Sequence, residues 1–255
     1  EIEPAAEARA AVIWLHGLGA DGHDFEPVVP HLGLPAAAGV RFVFPHAPSI
    51  PVTINNGFVM PAWYDIVALD LRRRHDEDGI RRSAAQVRAL IRRENERGIP
   101  CERIVLAGFS QGGAVALQAA ARDPDLWDGV ISAAAFASLG EIVTDSARQL
   151  HPVLRPAAPL VAASVEAFTF LRAGFLPSAI RPADAIRSLD RPVLLIHGDG
   201  DRYIPLDHAR RLHAALPGTA KALRIIPGAG HGRVLAADAD NTYAACCEFM
   251  LEAAR

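Results

Sequence analysis

Residues 103–122 read RIVLAGFSQGGAVALQAAAR, and the fold turns on how this stretch is parsed. Arg103 to Ala107 is a short apolar run with β-branched side chains, the pattern of a strand buried on both faces of a parallel sheet. Gly108-Phe109-Ser110-Gln111-Gly112 fits G-x-S-x-G, Gly113 follows, and Gln111 to Ala121 is alanine-rich and helical in pattern. A serine on the sharp turn from strand to helix is forced into a strained backbone conformation. The strain lifts its hydroxyl clear of the sheet and leaves the next N–H free for an oxyanion. Small residues flank it because strand and helix pass at close range there. An ordinary glycine-rich loop of a doubly wound protein is the plainer alternative; the strand before and the helix after favour the nucleophile. Ser110 is the candidate.

Outward from this turn, strands and helices alternate. Ala11 to His16 (AVIWLH) and Arg41 to Pro45 (RFVFP) read as strands, with a helix expected from about Asp24 and a long loop after His46. Ile80 to Arg97 carries Ile80, Ala84, Val87, Leu90 and Ile91 at helical spacing and stops at Gly98, as a C-cap does. Further strands are expected at Gly129–Phe136, Pro192–His197 and Ala222–Pro227, and helices at Leu206–Leu216 and Ala236–Ala254. This alternation predicts an α/β fold, a mostly parallel, doubly wound sheet covered on both faces. Residues 137–189 break the pattern, with prolines at 152, 156, 159, 177 and 182 and helical patches at 141–150 and 158–173. They are expected to form a helical cap inserted into a core of residues 1–136 and 190–255.

With 255 residues, 51% of them apolar, the chain is long enough to bury a substantial core. Net charge is −3, and the basic run 72–74 is followed at once by His75, Asp76, Glu77 and Asp78. Nucleic-acid binding therefore has no electrostatic support. Cys101, Cys246 and Cys247 have no metal-ligand spacing, so a reduced, cytoplasmic setting is the simplest expectation. No charged-then-apolar leader opens the sequence, and its first residue is not Met, which fits a processed or trimmed N-terminus. The most apolar stretch, 156–176, is interrupted by Glu166, Arg172 and prolines, so no membrane span is expected. Oligomeric state is not legible.

A nucleophilic serine needs a base, and the base needs a group to orient it. After the strand ending in His197 comes Gly198-Asp199-Gly200-Asp201-Arg202-Tyr203-Ile204-Pro205. Asp201 is the preferred acid, because D-x-x-I-P then opens the next helix; Asp199 is the competitor, read as a turn residue. After the last strand comes Gly228-Ala229-Gly230-His231-Gly232, and His231 is the candidate base. His16 and His197 each end a strand and read as structural, satisfying backbone groups at the sheet edge.

Gly17, Gly19 and Gly22 match G-x-G-x-x-G, but the acidic residue that a dinucleotide site needs near the end of the next strand is missing. The loop's other use is an oxyanion hole, with the N–H groups of Leu18 and Gln111 converging. Neither a metal site nor a phosphate-binding loop is present in the sequence, and no cofactor is expected.

With these residues in hand, WLHGLGADGHDFEPVVPHL, RFVFPHAP, PVTINNGFVMPAWYDI and RIVLAGFSQGGAVALQAA resemble the bacterial carboxylesterase/phospholipase family that includes acyl-protein thioesterases. The likeness runs over about residues 10–122. It implies an α/β-hydrolase fold, Ser110 as nucleophile, Leu18 and Gln111 as oxyanion donors, and Trp63 lining the substrate groove. From about Trp127, RPADAIRSLDRPVLLIHGDGDRYIPLDHARRL and GAGHG look like a second branch, the lidded hydrolases grouped with serine aminopeptidases and esterases. Asp201 and His231 match that branch's acid and base. The chain reads as a mosaic of the two, either a divergent natural member or a recombined chimera.

The expected activity is hydrolysis of small-molecule carboxylic esters or thioesters of short to medium acyl chains through an acyl-enzyme. A peptidase-like hydrolase and a catalytically silent scaffold are the alternatives. Val161, Val165, Phe168, Phe170, Leu171 and Phe175 either pack the cap or line an acyl pocket, and Phe168 and Phe175 are the candidate substrate contacts.

Overall fold

The computed structural model describes residues 1–52, 55, 57–65, 77–148, 156–173 and 180–253. In chain order the strands are β1 (Ala10–Leu15), β2 (Val40–Val43), β3 (Ser49–Val52), β4 (Phe58–Pro61), β5 (Ile104–Phe109), β6 (Gly129–Ala133), β7 (Val193–Gly198) and β8 (Lys221–Ile226). The helices are α1 (Glu77–Glu96), α2 (Gln111–Arg122), α3 (Leu139–Arg148), α4 (Ala158–Ala173), α5 (Pro182–Ala185), α6 (Leu206–Ala215) and α7 (Ala239–Ala253). Six strands form one parallel sheet in the order β2-β1-β5-β6-β7-β8. This is an α/β-hydrolase fold.

The continuous apolar runs have a direct cause. β1, β2, β5, β6 and β7 are buried at every position except Phe109, so none of them shows the apolar/polar alternation of a half-exposed strand. Ile13, Leu15, Ile104 and Leu106 pack one face against Val87 and Ile91 of α1 and Val115 and Leu117 of α2. Val12, Trp14, Val105 and Ala107 pack the other against Leu32 and, from α7, Cys246 and Met250. β2 and β8 are the edge strands, and β8 is half-buried or exposed at every position but Ile226, with Lys221 and Arg224 on it.

After β1 the chain moves outward to β2, then returns to place β5 on β1's other side, with Leu15 opposite Gly108. Such a reversal opens a crevice at the carboxyl ends of the two strands. The loops that follow β1 and β5 both empty into it.

Three local expectations are corrected. The segment expected as a helix from Asp24 is a 3-10 stretch over Gly22–Leu32, because Pro27 and Pro30 remove the N–H groups an α-helix would use. The loop after His46 contains the antiparallel hairpin β3–β4, hidden in the sequence by Pro51 and Pro61. The strand at Gly129 stops at Ala133, where Ala134 turns to a positive φ of 50°.

Helices α3 and α4 fall on the two helical patches and pack against each other. α3 is anchored to α6: His208 faces Asp145 Oδ2 across 3.1 Å, its Nδ1 accepts the Ala137 N–H at 3.1 Å, and Arg211 pairs with Glu141. Among the described residues, no helix is long and apolar enough to cross a membrane.

Candidate active site

Ser110 occupies the junction of β5 and α2 at φ 53° and ψ −116°, a conformation that costs a non-glycine residue about 1–3 kcal/mol. Its backbone is held on both sides: Ser110 N–H donates to Ala133 O (2.8 Å), and Ala114 N–H donates to Ser110 O (3.1 Å). The flanking glycines are required by contact. A Cβ on Gly108 would lie 2.5 Å from the carbonyl of Gly112, and one on Gly112 would collide with the carbonyl oxygens of Leu15 and His16. Strand, elbow and helix are therefore jammed together, and the serine is what projects.

His231 follows β8 and reaches across the sheet edge. Ser110 Oγ–H donates to His231 Nε2 at 3.1 Å, and His231 Nδ1–H donates to Asp201 Oδ2 at 2.6 Å. A carboxylate only accepts, so this bond fixes the proton on Nδ1 and leaves the Nε2 lone pair facing the hydroxyl. The Asp201 side chain is fully enclosed. Its Oδ1 accepts the N–H groups of Tyr203 and Ile204, each at 2.9 Å. Burial alone would raise the Asp201 pKa, but the bonds from His231 and the Ile204 N–H outweigh it, and the carboxyl sits below its ordinary value. Asp199 has a different partner: its Oδ1 accepts the Gly228 N–H at 2.6 Å and ties the two loops together.

The two strand-end histidines do backbone work. His16 Nδ1–H donates to Gly17 O (2.7 Å) and its Nε2 accepts the Ala47 N–H (3.0 Å), which requires a neutral ring; burial pushes its pKa down accordingly. His197 Nε2–H donates to Ile204 O at 2.8 Å, so Ile204 is gripped at both backbone groups, by His197 and by Asp201. Burial lowers the His197 pKa as well.

Leu18 follows β1 and Gln111 opens α2 after β5, so the two residues lie on loops that leave neighbouring strands. The first N–H groups of a helix have no intrahelical acceptor, that of Gln111 in α2 among them. Beside Leu18, Gly19 N–H donates to Pro61 O (2.9 Å), anchoring the loop to β4. The Gln111 side chain is itself fixed, its Oε1 accepting the Trp63 N–H (3.0 Å) and its Nε2–H donating to Tyr64 O (2.8 Å).

Trp63 is not on a groove wall. It is 1% exposed, its Nε1–H donates to His16 O (2.9 Å), and it belongs to the core, so the substrate-lining expectation is corrected to a supporting position behind Gln111. Phe175 lies outside the described residues, and so does the side chain of Phe168 within α4. Two features escaped the sequence reading. One is the Gln111 clamp, whose partners lie 47 or more residues away in sequence. The other is Tyr203, whose signal was an aromatic residue two positions after the acid.

Residues 2–156, more than half of the chain, match the model of the phospholipase/carboxylesterase family. The chain belongs to this family. It is similar to an acyl-protein thioesterase 1 of Gibberella zeae, 31% identical over 238 residues that cover 90% of this chain and 86% of the relative. An acyl-protein thioesterase 1 of Schizosaccharomyces pombe is 43% identical over 138 residues, covering 54% of this chain; the match spans 61% of that relative's length. Among solved structures, the acyl-protein thioesterase 2 of Zea mays superposes with a TM-score of 0.65 at 20% identity, covering all of this chain and 97% of that one, which shows a shared fold.

Proposed function

We propose that this phospholipase/carboxylesterase-family chain is a serine hydrolase that cleaves carboxylic esters, thioesters included, of short to medium acyl chains. The observation that carries this reading is the unbroken chain of hydrogen bonds from Ser110 Oγ through His231 to Asp201, on a strained elbow. The acyl-protein thioesterases it resembles support thioesters within the substrate class.

The steps follow from the atoms. Ser110 Oγ bonds to the acyl carbon while its proton passes to His231 Nε2. The carbonyl oxygen takes the negative charge and lies toward the N–H groups of Leu18 and Gln111, each such donor being worth about 2.7–4 kcal/mol in the transition state. When the carbonyl re-forms, the bond from carbon to the leaving oxygen or sulfur breaks, and His231 returns the proton to that atom. Water then attacks the acyl-Ser110 ester, giving one proton to His231 Nε2, and collapse releases the carboxylic acid and restores the Ser110 hydroxyl. Asp201 keeps the imidazole in one tautomer and stabilises the transient imidazolium without taking its proton. Residues 137–189 are the helical cap in this reading.

Hydrolysis of p-nitrophenyl esters from acetate to decanoate, beside Ser110→Ala, tests it. Turnover that disappears in the variant is expected, with a preference for the shorter chains. Equal inertness of parent and variant on every ester, and no labelling of Ser110 by a fluorophosphonate, would mark a silent scaffold instead.

A further inference from the structure

Tyr203 is the most exposed of the large apolar side chains among the described residues, at 75%, and it stands beside the proposed base. Its ring meets that of His231 edge-on, centroids 5.9 Å apart. The other ring on His231, Phe109 at 5.0 Å, is half-buried and packs inward against Phe25. Tyr203 therefore presents the free aromatic surface next to the imidazole.

The placement is fixed by the loop. Tyr203 N–H is held by Asp201 Oδ1, Ile204 by both Asp201 and His197, and Gly200 N–H by Ala229 O at 3.1 Å. A ring mounted on so constrained a backbone meets a ligand with little ordering still to be done.

Sheet order then says which part of a substrate it meets. Of the two proposed oxyanion donors, Leu18 follows β1, on one side of the nucleophile strand β5, and Gln111 follows β5 itself, whereas the loops of Asp201 and His231 follow β7 and β8, on the other side of β5. Chemistry demands that the leaving atom lie within hydrogen-bond reach of His231 Nε2, because that nitrogen hands it the proton. The group attached to the leaving atom is thus directed to the β7–β8 side, where Tyr203 stands.

We propose that Tyr203 is a specificity-determining residue that forms the leaving-group subsite, favouring alcohols or thiols with a planar aromatic surface. This rests on the hydrolase reading above and narrows its substrate class on one side of the scissile bond only.

The experiment compares the parent, Tyr203→Ala and Tyr203→Phe on two ester series. One fixes the acetyl group and varies the leaving group through ethyl, phenyl and 2-naphthyl acetates. The other fixes p-nitrophenol and varies the acyl chain from acetate to octanoate. Tyr203→Ala is expected to lower kcat/KM for the aryl acetates relative to ethyl acetate by roughly three- to tenfold, the range a lost aromatic contact supplies. Tyr203→Phe keeps the ring and retains the parent's ratio, and the acyl-chain profile keeps its shape in all three proteins. An equal loss on alkyl and aryl acetates would mean that the ring only braces the acid loop, and would overturn the proposal. So would an unchanged ratio, or a change in the acyl profile. A parent without any turnover sensitive to Ser110→Ala overturns the hydrolase reading itself, an outcome separate from an active parent whose leaving-group ratio ignores Tyr203.

Discussion

Two aspartates lie two residues apart in one loop, and the bonds around them assign different work to each. Asp201 meets His231 and two backbone N–H groups, whereas Asp199, among the described residues, accepts the Gly228 N–H. Replacing Asp201 by Asn removes the acceptor that keeps the proton on His231 Nδ1, and kcat is expected to fall by about 10⁴-fold, as when a triad acid is lost elsewhere. Asp199→Asn, which keeps an acceptor oxygen for Gly228, is expected to stay within a few-fold of the parent. Ester kinetics on the pair decide it, and a larger loss at Asp199 would reverse the assignment. Much of this was legible beforehand, because D-x-x-I-P places the acid ahead of a helix and the glycines around His231 mark a loop after the last strand. Trp63 misled for a physical reason. A tryptophan in a proline-rich loop reads as exposed until the loop is seen folded under the elbow, where its indole N–H bonds His16 O.

At the scale of elements, long apolar runs were the most legible, since a strand buried on both faces is apolar at nearly every position, with Arg41, Ser132 and His197 the polar residues of β2, β6 and β7. What sequence spacing could not carry were contacts set by distant neighbours. The hairpin β3–β4 depends on pairing that its prolines disguise, and the stretch after Asp21 has helical spacing without the N–H groups to form an α-helix. The attachment of α3 to the core is a third case. It rests on His208, fully buried on α6, whose ring accepts the Ala137 N–H and faces Asp145. Replacing His208 by Ala leaves the Ala137 N–H without that acceptor, at a cost of about 1–3 kcal/mol. Hydrogen exchange is expected to quicken across 137–148 while β1 and β5 stay protected. Uniform quickening throughout the sheet would instead make α3 part of the same cooperative unit as the core.

Across the whole molecule, the buried histidines set how stability responds to acid. His16, His197 and His208 sit at strand ends or beneath a helix, each with burial pushing its pKa below the ordinary 6.5. The unfolded chain therefore binds more protons than the folded one between 6.5 and those lowered values. Stability is fully present above 6.5, falls as pH drops through that window, and levels off below it. His23 works in the opposite sense, raised by Glu26, but it is fully exposed and its pair is screened by solvent. Asp201 adds a second acid-sensitive step: its pKa lies below 3.8, so its contribution persists until pH falls beneath that value. The expected record is a Tm that declines from pH 7.5 to pH 5. His208→Asn sets its Oδ1 at the position of the Nδ1 that accepts the Ala137 N–H and carries no titrating group, so its slope over that range is expected to be shallower than the parent's. A Tm flat between pH 7.5 and pH 5, or a variant as steep as the parent, would mean that His208 is not held neutral by its burial under α3.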